Sequence, residues 1–235
     1  MSATTPKTAF WQGVRDGAPF LLVVVPFALL FGVVATEAGL SLAQTMGFSV
    51  LVIAGAAQFT AVQLMVEQAP TLIVLATSLA VNLRMAMYSA ALTPYLGTAP
   101  LWQRALIAYF NVDQSYAVSV AKYEQTDWPL AARVAYFAGV ILPVCPMWYV
   151  MTLVGALVGT TIPPEYALDF AVPITFLALI APMLRTVAHV AAALVSVTLA
   201  LILAGLPYGI GLLGAAVAAM ITGAQVELWL QRRAR

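Results

Sequence analysis

The chain reads as a series of uncharged runs separated by short charged or turn-rich breaks. Twenty uncharged residues, GAPFLLVVVPFALLFGVVAT, lie between Asp16 and Glu37, long enough to cross a bilayer as a helix. They predict the first span. Ala38 to Val66 predicts span two, and after the turn EQAPT span three runs to about Pro94. Span four covers about Leu101 to Val120, and span five falls within the thirty-one uncharged residues between Arg133 and Glu165. Span six is short, from about Asp169 to Leu184. The remaining run, Thr186 to Val226, is too long for one helix, and GLPYGIG divides it into spans seven and eight. The apolar runs are continuous rather than alternating, which predicts helices and excludes a membrane β-barrel. The expectation is an all-α polytopic membrane protein of about eight spans, one transmembrane domain over 1–235, weighed also as two four-span halves.

Composition names the solvent. Of 235 residues 63% are hydrophobic and 8% charged, against about 25% charged in a soluble domain. Such a chain covers its exterior with a lipid bilayer. A net charge of +1 with no basic stripe gives no nucleic-acid partner. The single Cys145 and the absence of a Cys/His cluster predict no internal disulfide, no metal and no cofactor. With eight spans, Lys7, Arg15, Lys122, Arg133, Arg185, Arg232, Arg233 and Arg235 fall on one side and Arg104 alone on the other. The positive-inside rule then places segments 1–15, 121–133 and 231–235 in the cytoplasm, with spans one to four over 16–120 and spans five to eight over 134–230. The first span follows Lys7 and Arg15 as a signal peptide would. Its long apolar core without an A-x-A site predicts a retained anchor in the cytoplasmic (inner) membrane.

Polar residues inside the spans are the candidate chemistry. Span three, TSLAVNLRMAMYSAAL, carries Asn82 and Arg84, although an arginine at mid-membrane costs roughly 2.5–3.5 kcal/mol on insertion scales. Span two offers Gln58 after the small residues AGAA, and span four offers Asn111, Asp113 and Gln114. Arg84 lies about 20 Å along its helix from Thr71 and Asp113 about 18 Å from Leu101, at 1.5 Å per residue, so the two charges reach overlapping depths. A guanidinium, a carboxylate and several amides suit a small zwitterion: Arg84 for its carboxylate, Asp113 or the amides for its ammonium, with Asp113 also the candidate for ion coupling. The competing reading is a buried pair that only fixes packing. Pro26, Pro143, Pro146 and Pro173 are candidate kinks that free backbone carbonyls. The ladder Ala215, Ala219, Gly223 predicts close helix packing, with docking of a partner as an alternative use.

At these residues the sequence resembles a known family. AGAAQF (54–59), NLRMAMYSAAL (82–92), VDQSYAV (112–118) and the opening GVRDGAPFLLVVVPFALLFGV (13–33) are similar to signature segments of the AzlC family, large subunits of two-component branched-chain amino acid exporters. The resemblance covers most of the first 125 residues, and the second half mainly in length and hydropathy. It implies a permease exporting leucine, isoleucine and valine, with methionine a further candidate, and a small four-span AzlD-type partner. Two positions depart from the family pattern: Met85 stands where a histidine is usual, and Gln114 where a glutamate is usual. The rival functions are a non-transporting scaffold or channel subunit and an intramembrane enzyme. Catalysis would need a nucleophile and base, and the sole His189 and sole Cys145 lie in different spans, so no catalytic residue is predicted.

Overall fold

A computed structural model describes residues 4–159, 184, 186–206 and 210–233. Predicted span six apart from Leu184, with Pro173, lies outside the described residues, as do Arg185 and Arg235. Every regular element among the described residues is a helix, and four segments are long and apolar enough to cross a membrane: Pro6–Glu37, Thr71–Leu96, Leu130–Gly159 and Ile210–Arg233. The all-helical membrane class read from the sequence holds. The chain divides into two compact units, Met1–Val62 with Ser78–Tyr166, and Gln63–Thr77 with Ala167–Arg235.

The first unit is framed by two long helical segments. Thr5 caps α1 (Pro6–Gly17) by accepting the Thr8 N–H, and Pro6 starts the helix where no N–H is needed. A 3₁₀ turn over Ala18–Phe20 leads into α2 (Leu21–Glu37). These pack along α8 (Leu130–Gly159) in the same direction: Gly13 meets Tyr136 and Gly139, Gly32 meets Thr152 and Ala156, and Gly159 meets Thr36. A Cβ at Gly13, Gly32 or Gly155 would collide with the facing backbone, so these helices touch main chain to main chain. Pro26 sits inside α2, and Pro143 and Pro146 inside α8, without ending either helix.

Between these helices the predicted spans two and four are not single helices. Each is a pair of short helices that folds back. In the first hairpin, Ser41 and Gln44 form a reciprocal capping box that starts α3 (Leu42–Val52). Ile53 ends α3 in the left-handed region at φ 40°, a conformation costly for a β-branched residue, and α4 (Gly55–Val66) begins at once. The chain has reversed, because Gln58 on α4 donates to Ser49 on α3 at 3.1 Å, and Phe48 and Phe59 both flank Phe31.

The second hairpin follows α5 (Thr71–Leu96). Helix α6 (Leu101–Tyr109) runs back along it, its Arg104, Ile107 and Ala108 sharing a small cavity with Ser89, Leu92 and Leu96. After a break at 110–112, α7 (Asp113–Gln125) runs with α5, as Arg84 pairs with Asp113, Tyr88 with Tyr116 and Tyr95 with Tyr123. The tips meet: the Tyr109 hydroxyl donates to the Val50 carbonyl and lies 3.0 Å from that of Tyr149.

This corrects the direction of span three. The end of α5 lies with the start of α8, where Arg133 stands 5.7 Å from the Tyr95 ring, so α5 runs opposite to α8 and to α2. Arg104, the one basic residue expected on the opposite side, therefore lies at the same end of the unit as Lys122 and Arg133. Hydropathy missed this because two short apolar helices occupy the same length of sequence as one crossing helix. A repetition of plan is visible within the first 125 residues, finer than four-span halves. A long helix and a hairpin (α2–α3–α4) are followed by a long helix and a hairpin running in the reverse sense (α5–α6–α7).

In the second unit, α9 (Val187–Ile202) packs on α10 (Ile210–Arg233). Ala215 and Ala219 are buried there, and a Cβ on Gly223 would reach 3.3 Å from that of Ala192. The small-residue ladder is used for contacts inside the chain.

Candidate functional site

The break at 110–112 exists because its backbone is held from α7. Ser115 accepts the Val112 N–H at 2.9 Å and turns its own hydroxyl to the carbonyls of Phe110 and Val112. Helix α7 thus starts inside the unit, and Asp113 occupies its first turn, where a carboxylate is favoured by the unpaired N–H groups and the helix dipole. From α5, the Arg84 Nη2 reaches Asp113 Oδ2 at 3.3 Å. Both side chains remain about a third or more exposed, 33% and 43%, so the pair is not sealed within its unit.

The pair leaves capacity unused. Arg84 Nε and Asp113 Oδ1 are buried atoms without a hydrogen-bond partner, as is Asn111 Oδ1. Asn111 is fully buried and spends its amide on Ser89 Oγ at 3.2 Å. One cationic donor and two acceptors unfilled at one hairpin tip match a ligand with a carboxylate at one end and an ammonium at the other. Asn82 also has an unpartnered Oδ1; it lies on the flank of α5 seven residues before Ser89. Gln114 and Met85 are half-buried beside Asp113 and Arg84 in the sequence.

Gln58 belongs to a different cluster. It is fully buried at the first hairpin, donates to Ser49 Oγ, and Ser49 bonds Thr152 Oγ1 at 3.4 Å. Its Oε1 and the Thr45 Oγ1 are unpartnered there.

Two groups of residues escaped the sequence reading. Tyr88 and Tyr116 stack with centroids 4.1 Å apart and planes 9° from parallel, one turn beyond the ion pair, and the Tyr88 hydroxyl neighbours Asp113. Their spacing, four residues after Arg84 and three after Asp113, is the available signal. At the end of the unit that carries α1, Lys122 Nζ pairs with Asp16 Oδ2 at 3.4 Å, and the Tyr136 hydroxyl donates to the same oxygen at 2.7 Å. The sequence offered these only as loop charges. Among the described residues no group of His, Cys, Asp and Glu could hold a metal.

Comparison with known proteins agrees with this frame. The family model described as AzlC protein matches residues 19–162. The chain is 28% identical to the inner membrane protein YgaZ of Escherichia coli K12 over 97% of this chain and all of that one. It is 29% identical to an uncharacterized membrane protein of Archaeoglobus fulgidus, covering 79% of this chain and 80% of the other. No solved structure matches it.

Proposed function

The chain belongs to the AzlC family, and from that premise we propose that it is a secondary transporter exporting leucine, isoleucine and valine across the cytoplasmic membrane. The observation that carries the reading is the Arg84–Asp113 pair at the second hairpin tip, with Arg84 Nε and Asp113 Oδ1 unfilled. With the site empty, each charge keeps the other from being orphaned. An arriving carboxylate replaces its lost water with the planar guanidinium of Arg84, and Asp113 is released to take the ammonium or a proton. That exchange ties substrate binding to the charge of one carboxylate, and so to an ion gradient. The aliphatic side chain needs only an apolar wall, where one methylene is worth about 1–3 kcal/mol, so the three branched substrates are accepted together.

The same reading assigns the end of the unit holding Lys7, Arg15, Arg104, Lys122 and Arg133 to the cytoplasm, since basic residues gather on that side. It also includes a small four-span AzlD-type subunit as partner and no catalytic chemistry. Solute counterflow in vesicles tests it. The chain co-reconstituted with a small AzlD-type subunit exchanges labelled leucine for internal valine. Loss of exchange for every branched-chain pair sinks the reading.

A further inference from the structure

The end of the first unit that carries α1 has a second place with the chemistry of an amino acid site. A cleft of about 650 Å³ opens between the end of α1, the following 3₁₀ turn and the C-terminal half of α7. Its polar wall is Arg15, Asp16, Lys122 and Tyr136, and Phe20 and Val118 stand in its apolar wall. The size lies within the usual range of small-molecule sites, about 300–1,000 Å³.

The charges in this cleft are unevenly committed. Lys122 and Tyr136 both spend their contacts on Asp16 Oδ2, which leaves Oδ1 with lone pairs for another donor. Lys122 is further held over the rings of Trp128 and Tyr136, at 6.0 and 5.6 Å. Arg15 is exposed and has no ion pair among the described residues. Two cations against one carboxylate leave a surplus positive charge, and it resides on the uncommitted guanidinium. A ligand that meets all three features has a carboxylate for Arg15, an ammonium for Asp16 and a short aliphatic chain for the apolar wall. A phosphate headgroup that carries no ammonium would leave Asp16 facing a like charge.

We propose that this cleft is a second, weaker binding site for aliphatic amino acids at the mouth of the carrier, engaging Arg15 and Asp16. It rests on the transport reading above. The site lies on the same helix as the hairpin tip: Lys122 is nine residues beyond Asp113 on α7, about 14 Å at 1.5 Å per residue. An amino acid held there is one helix length from the Arg84–Asp113 pair, and its ammonium competes with Lys122 for Asp16.

Equilibrium binding of tritiated leucine to the full chain with its partner, in nanodiscs of phosphatidylcholine, tests the proposal. The expected wild-type result is two bound leucines per chain, and R15Q, at an exposed residue, reduces this to one. In R84L/D113L the weaker site alone remains, and adding R15Q to that background lowers its affinity at least tenfold. The 2-oxo acid with the side chain of leucine, which lacks the ammonium, competes for the weaker site at least tenfold less well than leucine. One leucine per wild-type chain, unchanged by R15Q, overturns the second site and leaves the transport reading standing. Equal competition by the 2-oxo acid overturns the role of Asp16. Replacement of bound leucine by anionic lipid, with no change in the 2-oxo acid arm, identifies a lipid site and overturns the proposal. No leucine bound by the wild type at all defeats the transport reading itself.

Discussion

Arg84 is the residue whose cost most needs a return, and its partner explains why the chain keeps it. Its Nη2 is given to Asp113 while its buried Nε has no partner, and in the proposed mechanism that spare donor is kept for a substrate carboxylate. Arg84→Lys keeps the charge but loses the fork, and a charge-assisted hydrogen bond is worth about 1.5–3 kcal/mol. Leucine affinity should fall by roughly tenfold or more in a binding titration, with little change in the yield of folded protein. Asp113→Asn should keep exchange of leucine for valine in vesicles and lose accumulation driven by an imposed gradient. The double variant R84L/D113L should fold and not transport; transport at the wild-type rate would show the pair to be structural. That the two charges would pair was legible, because lone charges in apolar sequence have strong reason to meet. The depth argument behind it was not sound, since Asp113 starts α7 after a break instead of lying within one crossing helix. The stacked Tyr88 and Tyr116 were not, because an aromatic pair at helical spacing looks like any packing contact until the neighbouring helix is placed.

At the scale of elements, hydropathy measured the length of apolar sequence and could not tell a crossing helix from two half-helices. The breaks themselves were readable only in part. Phe110, Asn111 and Val112 carry no strong turn signal, and Ile53 is a residue that local propensity would not place in a left-handed conformation. Side-directed labelling separates the two topologies. In the hairpin arrangement a cysteine at Thr98 and one at Gln125 react from the same side of the membrane, whereas eight full spans put them on opposite sides. The buried Cys145 gives little background. The α1–α2 contact with α8 makes its own prediction. Gly155→Ala drives a methyl into the Leu29 backbone, and overpacking typically costs about 1–3 kcal/mol, so its midpoint in a denaturant titration should drop. Gly47→Ala on α3, with nothing within 4 Å of its Cβ position, is the control and should be neutral or slightly stabilising.

At the scale of the molecule, composition settled that this is a membrane protein, because so few charges cannot cover a soluble surface, and the continuous apolar runs settled that it is helical. Within the first unit the charge asymmetry came out sharper than the sequence suggested, once Arg104 joined Lys122 and Arg133 at one end. The partner subunit is the expectation to test at this scale: the chain alone should exchange leucine poorly in liposomes and recover when the small subunit is added. The two hairpins carry a consequence of a different kind. A device assembled from two like parts set head to tail has no forward or reverse of its own, as a palindrome has no preferred reading direction. Here the symmetry is broken in the lettering: one turning point is spelled with Ala54 and Gly55, the other with Asn111 and Asp113. Under the proposed reading the gradient sets the direction of traffic, so exchanging the letters between the two turning points would move the charged post to the other half of the device and leave the direction of travel unchanged.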